Sequence, residues 1–403
     1  MPKLRFIFFL QILFMKKLIT FSILAYLLLT INSGAVTQEK KSENKNILKI
    51  GVLLPLSGQF QDIGESFLKA IQLALDDISN ENIKIYPKDS KGNALGAYES
   101  AKIFEENEIK IVIGPIFHES LERLNEINNI TFISLTNKNK NIPKNTIAFG
   151  INIDSQIAVL KKYFNEIEVK KTLLLSPNSE FIKQSEYVKN KDVLNFYRTY
   201  TYDTNPKKIT AEIEKITKYR ERKKDLERRI KILEKSDLYK HKQELKKLEQ
   251  MHTLGEVNFD SVFIIDFGER LKSVLTSFMF SDVSNTKVKF FTINQWFDKT
   301  FFNENAMQNL HFPSINFNNL KKFNKKFLNK FNEKPNEVSL LAYDALGLIY
   351  YCWSNNNFQF KAEQLFNKKG FKGLHAEFII KGNQSLQKLK IYKISEKKFI
   401  KVY

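Results

Sequence analysis

The stretch that most constrains this chain is Leu48 to Ser79, LKIGVLLPLSGQFQDIGESFLKAIQLALDDIS, because most of the later chain repeats the pattern it sets. Ile50 to Leu56 is an almost unbroken apolar run, the mark of a parallel strand covered on both faces. Pro55 ends the ladder, Ser57-Gly58 supplies a turn, and Gly64 suits a place where backbone approaches a neighbour closely. Phe67, Leu68, Ile71, Ala74, Leu75 and Ile78 then recur at helical spacing, with Glu65, Lys69, Gln72, Asp76 and Ser79 opposite them. A strand and then an amphipathic helix that packs on the sheet is the unit of an α/β fold.

The unit recurs. Strands are expected at Ile83–Tyr86, Ile109–Ile113 and Ile130–Leu135, with helices over Ala97–Glu106 and Ile116–Ile127. Ligands in open α/β sheets bind at the strand ends that carry the loops, so Ser57, Gly58, Phe117, Ser134, Thr136 and Asn137 should converge at one edge. A second series begins after Phe149-Gly150-Ile151-Asn152: helix Ile157–Phe164, then strands Lys171–Leu175, Asn195–Tyr202, Asp260–Ile265 and Val288–Ile293, with Phe267 and Trp296 leaving strand ends. About 365 residues outside the amino-terminal stretch are too many for one core, so two lobes are expected.

Lys207 to Met251 interrupts this series. It has no Gly or Pro, alternates charges, and sets Ile209, Ile213, Ile216, Tyr219, Leu226, Ile230 and Leu233 at threes, fours and sevens. One long helix is expected there, with Ser236-Asp237 capping a second that carries Leu238, Leu245 and Leu248 and folds back as a coiled-coil-like hairpin. A narrow apolar seam on a polar rod fits either a passive solvated hairpin or a docking arm.

The amino end reads as an export signal: Lys16 and Lys17 precede the apolar stretch Leu18–Ile31, and Ser33-Gly34-Ala35 offers small residues for cleavage. That stretch is short for a span, which needs roughly 20 apolar residues, so no stable membrane span is expected after cleavage; an uncleaved anchor is the alternative. Gln38 to Asn46 is a polar tether. The only cysteine, Cys352, sits among apolar residues, which excludes an intramolecular disulfide. The formal charge of +20 comes chiefly from scattered lysines, and the export signal directs the product away from nucleic acid, leaving anionic envelope surfaces as the electrostatic partners. No phosphate loop, nucleophile elbow or metal-spaced histidine pair occurs, so no catalytic residue, metal or cofactor is expected. His118-Glu119-Ser120, three consecutive residues at a helix start, cannot face one another as a triad and reads as a capping turn or ligand contact.

The motifs GVLLPLSGQFQDIGESFLKAIQLALDDI, IKIYPKDSKGNALGAYESAKIF, IKIVIGPIFHESL, ITFISLTNKNK and VSLLAYDALGLIYY, in this order, resemble the type I periplasmic binding proteins of the leucine-binding-like group. FDSVFIIDFGERLKSVL, KVKFFTINQWFD and GFKGLHAEFIIKGNQ look most like the branch of penicillin-binding-protein activators. The resemblance implies two Rossmann-like lobes with parallel sheets joined by a three-strand hinge, the hairpin being an insertion. It divides the chain into signal peptide 1–35, linker 36–47, a first lobe of 48–153 and 316–380, a second lobe of 154–206, 255–315 and 381–403, and the insertion 207–254. It also implies a periplasmic protein, although no cysteine near the signal offers a lipid attachment point. Carried over by position, the ligand loops are Phe117 to Ser120 and Ser134 to Asn137, but Phe-His-Glu-Ser and Leu-Thr-Asn replace the family's Ser-Ser-Thr run and Ala-Thr pair. The resemblance implies two alternative functions. One is a non-enzymatic protein that contacts a peptidoglycan synthase. The other is the receptor of an importer, handing an amino acid or other small polar solute to a permease.

Overall fold

The computed structural model describes residues 47–179, 188, 196–295 and 299–403, and Leu48–Tyr403 form one compact unit. Its first sheet opens with β1 (Leu48–Leu54), buried at every position but Lys49, as an apolar run between two layers of helices should be. Helix α1 (Gln61–Ile78) comes next and turns Phe67, Ala70, Ile71 and Ala74 inward. Strand β2 (Ile83–Asp89) runs through Pro87, beyond the expected end at Tyr86; it is the edge strand, where a missing N–H costs no ladder bond. Helix α2 (Ala94–Glu106) is capped by the Asn93 side chain, which accepts from the Gly96 N–H. Strands β3 (Ile111–Ile113), β4 (Thr131–Ser134) and β5 (Thr146–Ala148) complete the parallel series.

No α-helix joins β3 to β4, contrary to expectation. Two 3₁₀ turns, Glu119–Leu121 and Leu124–Glu126, take its place. Leu121, Leu124 and Ile127, all buried, lie three residues apart, the period that lines up one face of a 3₁₀ helix rather than an α-helix.

Helix α3 (Ile153–Glu166) carries the chain to the second sheet: β6 (Thr172–Pro177), β7 (Phe196–Tyr202), β8 (Ser261–Ile264), β9 (Lys289–Thr292) and β10 (Leu310–Ser314), parallel throughout. Between β7 and β8 the expected single long helix is two, α4 (Pro206–Ile216) and α5 (Tyr219–Leu233). The Thr217 hydroxyl bonds back to the Ile213 carbonyl and Lys218 takes a left-handed conformation, φ +52°, which breaks the rod. Helix α6 (Tyr239–Leu248) then folds back on α5. Helix α7 (Gly268–Phe280) links β8 to β9 and packs beside α4.

After β10 the chain returns to the first lobe as α8 (Phe317–Phe331) and α9 (Leu340–Ser354), which pack with α1. Strands β11 (Phe371–Lys372), β12 (Glu377–Lys381) and β13 (Gln384–Lys388) extend the first sheet to the order β11-β12-β13-β5-β4-β3-β1-β2. A hairpin of β14 (Lys390–Ser395) and β15 (Lys398–Lys401) closes the second, β15-β14-β10-β9-β8-β6-β7. The last change of sheet therefore falls at Leu389, one strand later than the boundary at 381. The chain passes between the sheets three times, after β5, β10 and β13.

Candidate functional site

In the first lobe the strand-end loops are fastened by Asp89, at the end of β2. Its carboxylate accepts from the Leu56 and Lys91 N–H groups, each at 2.8 Å, and from Ser57 Oγ at 2.5 Å. Burial alone would raise this carboxyl, but those hydrogen bonds outweigh it and hold Asp89 below the ordinary carboxylate range. Ser57 is thus a clasp for its own loop. Gly58, at φ +74°, has open space where a side chain would stand. Phe60 and Phe117 meet with ring centroids 4.6 Å apart, bridging the loops after β1 and β3.

The remaining expected residues divide. Ser134 and Thr136 are buried: Ser134 donates to the Pro115 carbonyl at 2.8 Å, and Thr136 Oγ1 accepts from the Lys138 N–H. Both serve the loops rather than present a group. Asn137 is exposed. Ser120 is fully buried and its hydroxyl has no partner, nor has His118 Nδ1. Burial, helped by nearby Lys138, lowers the His118 imidazole below its ordinary value. Glu119 pairs with Lys138 at 3.0 Å and so ties the loops after β3 and β4 together.

In the second lobe the strand ends gather around Asp266, which was not among the residues expected to form a site. It is fully buried just beyond β8. It accepts from Tyr202 Oη at 2.6 Å, from the Phe267 N–H at 2.8 Å and from the Arg270 guanidinium, whose Nη2 lies 3.1 Å away. Thr292 and the Gln295 amide both donate to its backbone carbonyl. Burial, with the Asp266 charge beside it, pushes the Tyr202 phenol far up, so the phenol stays protonated and donates. Ser176 and Ser179 have buried hydroxyls without a partner. Phe267 is half exposed. Trp296 lies outside the described residues. The signal for the missed cluster was an acid four residues before an arginine at a helix start, in Asp266-Phe267-Gly268-Glu269-Arg270.

Both sets of loops reach the first turn of α3. From the first sheet, Asn139 Nδ2 donates to Asp154 Oδ2 at 2.9 Å; from the second, the Asn294 N–H donates to Gln156 Oε1 at 2.7 Å. The strand-end edges of the two sheets therefore converge on one helix start. Behind it, Gln387 of β13 accepts from the Ser155 hydroxyl and donates to the Phe149 and Gly150 carbonyls, binding two of the crossovers to each other. Among the described residues, no group of histidine, cysteine and acidic side chains is placed to hold a metal ion, and no helix is long and apolar enough to cross a membrane.

The family model for periplasmic binding protein matches residues 47–188. Solved structures extend the likeness over both sheets. The C-domain of LpoA from Haemophilus influenzae, a regulator of PBP1A, superposes with a TM-score of 0.61 at 14% identity, covering 88% of this chain and 100% of that one. The fold is that of a type I periplasmic binding protein.

Other binding proteins of the same fold agree. A putative branched-chain amino acid ABC transporter protein from Rhodospirillum rubrum gives a TM-score of 0.67 at 12% identity, over 88% and 100% of the two chains. LivJ of Streptococcus pneumoniae, holding isoleucine, gives 0.54 at 16% identity over the same shares. Against full-length LpoA the match spans 59% of that chain. No curated protein matches the sequence. The convergence at α3 places the loop edges of both sheets beside the crossovers.

Proposed function

We propose that this is a non-enzymatic periplasmic protein that regulates a peptidoglycan synthase by direct contact. The observation that carries the reading is the state of Asp266. A receptor for amino acids needs an acceptor left free for the ligand's ammonium group, and the buried carboxylate at the second-lobe strand ends is occupied by Tyr202, Phe267 and Arg270. On the first lobe, Ser134 and Thr136 bond within their own loops, and the Phe60–Phe117 ring pair stands over the same edge. The Asp266 carboxylate and the Ser134 and Thr136 hydroxyls are thus already engaged. The likeness to the LpoA C-domain supports the same direction. Such a regulator raises the synthase's activity by binding one of its conformations more tightly than another.

The protein is carried out of the cytoplasm by its amino-terminal stretch, and its chemistry ends at binding. Capture of a bifunctional penicillin-binding protein from detergent-solubilised envelope by the tagged chain tests the proposal; failure to retain any such synthase removes it. A second reading rests on a separate observation. His118 Nδ1 and the hydroxyls of Ser120, Ser176 and Ser179 are buried without partners, which suits a neutral polar solute delivered to an ABC permease. A one-site calorimetric isotherm with such a solute, weakened by Ser120→Val, would favour it.

A further inference from the structure

The insertion of α5 and α6 is used by neither reading. Its apolar residues Leu226, Ile230, Leu233, Leu245, Leu248 and Leu254 form a small cluster of their own, apart from the main core. It is fastened at its base: Arg222, buried, donates to Thr253 Oγ1 and the Ser281 carbonyl, each at 2.9 Å. Beyond that point the ion pairs among the described residues stay within the hairpin, Arg228 with Asp225, Arg229 with Glu244 and Lys242 with Asp237. Its seam is therefore satisfied internally.

Its apex is not. Ile232, in the last turn of α5, Leu238, at the cap of α6, and Tyr239, its first residue, are 56%, 62% and 77% exposed. Lysines 231, 235 and 240 flank them beside Glu234 and the Asp237–Lys242 pair, and residues 219–248 carry twelve lysines and arginines against six aspartates and glutamates.

We infer that the hairpin apex docks on an anionic lipid surface, inserting Ile232, Leu238 and Tyr239 among the headgroups while the surrounding lysines meet the lipid phosphates. Two aliphatic side chains and a tyrosine at the point of a basic rod match the residue types that settle at a membrane interface. Three side chains are too small a patch for a standard protein interface, which takes about 800 Å² from each partner, whereas a fluid surface demands no shape complementarity. Electrostatic attraction of basic residues to anionic lipid adds roughly with their number and fades within a Debye length, so the contact should weaken with salt. The inference holds under either reading of function.

The test uses the full chain with a reporter at the apex. Cys352 is buried, and burial pushes its thiol up to about 12, so an environment-sensitive fluorophore placed through Gln243→Cys, an exposed and uncharged position one turn from Tyr239, labels that site alone. Vesicles of phosphatidylcholine with one third phosphatidylglycerol should shift its emission to the blue. Pure phosphatidylcholine vesicles should not, and neither should an acidic soluble protein. Replacing Ile232, Leu238 and Tyr239 by serine should abolish the shift while the circular dichroism spectrum stays unchanged, since all three are exposed. An equal shift on neutral vesicles, a shift produced by the acidic protein alone, or a shift that survives the serine variant would overturn the inference.

Discussion

Replacing Asp266 by alanine should destabilise the second lobe by about 3 kcal/mol, the sum of two losses and a small third. The Tyr202 hydroxyl, buried to 1% exposure, would lose its acceptor, which costs ~1–3 kcal/mol for an unsatisfied buried polar group. The Phe267 N–H, just ahead of α7, would lose its hydrogen-bond acceptor, ~1 kcal/mol. Arg270, a third exposed, keeps its access to water, so the broken ion pair adds less than about 1 kcal/mol. Asp266→Asn is the informative control, because an amide oxygen can still accept from Tyr202, while the amide nitrogen takes the place of the oxygen that accepts from the Phe267 N–H and Arg270; it should cost less than alanine. Urea denaturation monitored by far-ultraviolet circular dichroism measures both, and thermal melting should show a fall of about 5–10 °C for the alanine variant. The double variant with Tyr202→Phe should restore part of the loss, because the phenylalanine leaves no orphaned hydroxyl. An alanine variant within about 1 kcal/mol of the parent, or an asparagine variant as damaging as alanine, would refute the reasoning that Asp266 is a closed structural node.

Other expectations rest on single sites. Gly114→Ala should lower stability by more than about 2 kcal/mol, because its backbone sits at φ +108° and an added Cβ would lie 2.0 Å from the Leu53 carbonyl oxygen; melting of the variant decides it. His311 is buried, and desolvation pushes its imidazole down to about 4, so the fold keeps it neutral while the unfolded chain takes up a proton below about 6.5. Its contribution is therefore complete above pH 6.5 and is lost as pH falls toward 4, by up to about 3 kcal/mol; His311→Gln should flatten that part of a stability–pH curve, and a curve parallel to the parent's would refute it. Asp344 accepts from the Leu374 and His375 N–H groups and from His375 Nδ1, so Asp344→Ala should cost ~3 kcal/mol or more by denaturation, leaving a fully buried histidine without its partner. Calorimetry with leucine, isoleucine and the other amino acids should be flat, since Asp266 has no open acceptor to offer; a one-site isotherm would count against the proposed role.

The sheets were legible in this sequence for a simple reason. Parallel strands buried on both faces must be apolar runs, and β1, β3, β4, β6 and β8 are that. Helix α1 announced itself by apolar spacing. What escaped was decided by local backbone geometry. Lys218 adopts a left-handed conformation that no periodicity reveals, so a seam at threes and fours looked like one rod. The connection after β3 has apolar residues at threes, which satisfies an α-helical template nearly as well as a 3₁₀ one. Strand β5, three residues after a loop rich in Asn and Lys, is too short to carry a pattern. The candidate site was harder still. Ser57, Phe117 and Asn137 were placed at strand ends by topology, but a sequence does not show that Ser57 is bound to Asp89, 32 residues away, or that Ser134 and Thr136 turn inward. Tyr202 and Asp266, 64 positions apart, become partners only when β7 and β8 flank β6.

The most direct test of the central claim, that this bilobed protein acts by touching a synthase rather than by holding an amino acid, is the rate of glycan polymerisation by a purified bifunctional penicillin-binding protein from the same envelope, measured with and without the chain. The account predicts a rate that rises and saturates with added protein and does not change when amino acids are present. A rate unaffected at saturating protein would contradict it.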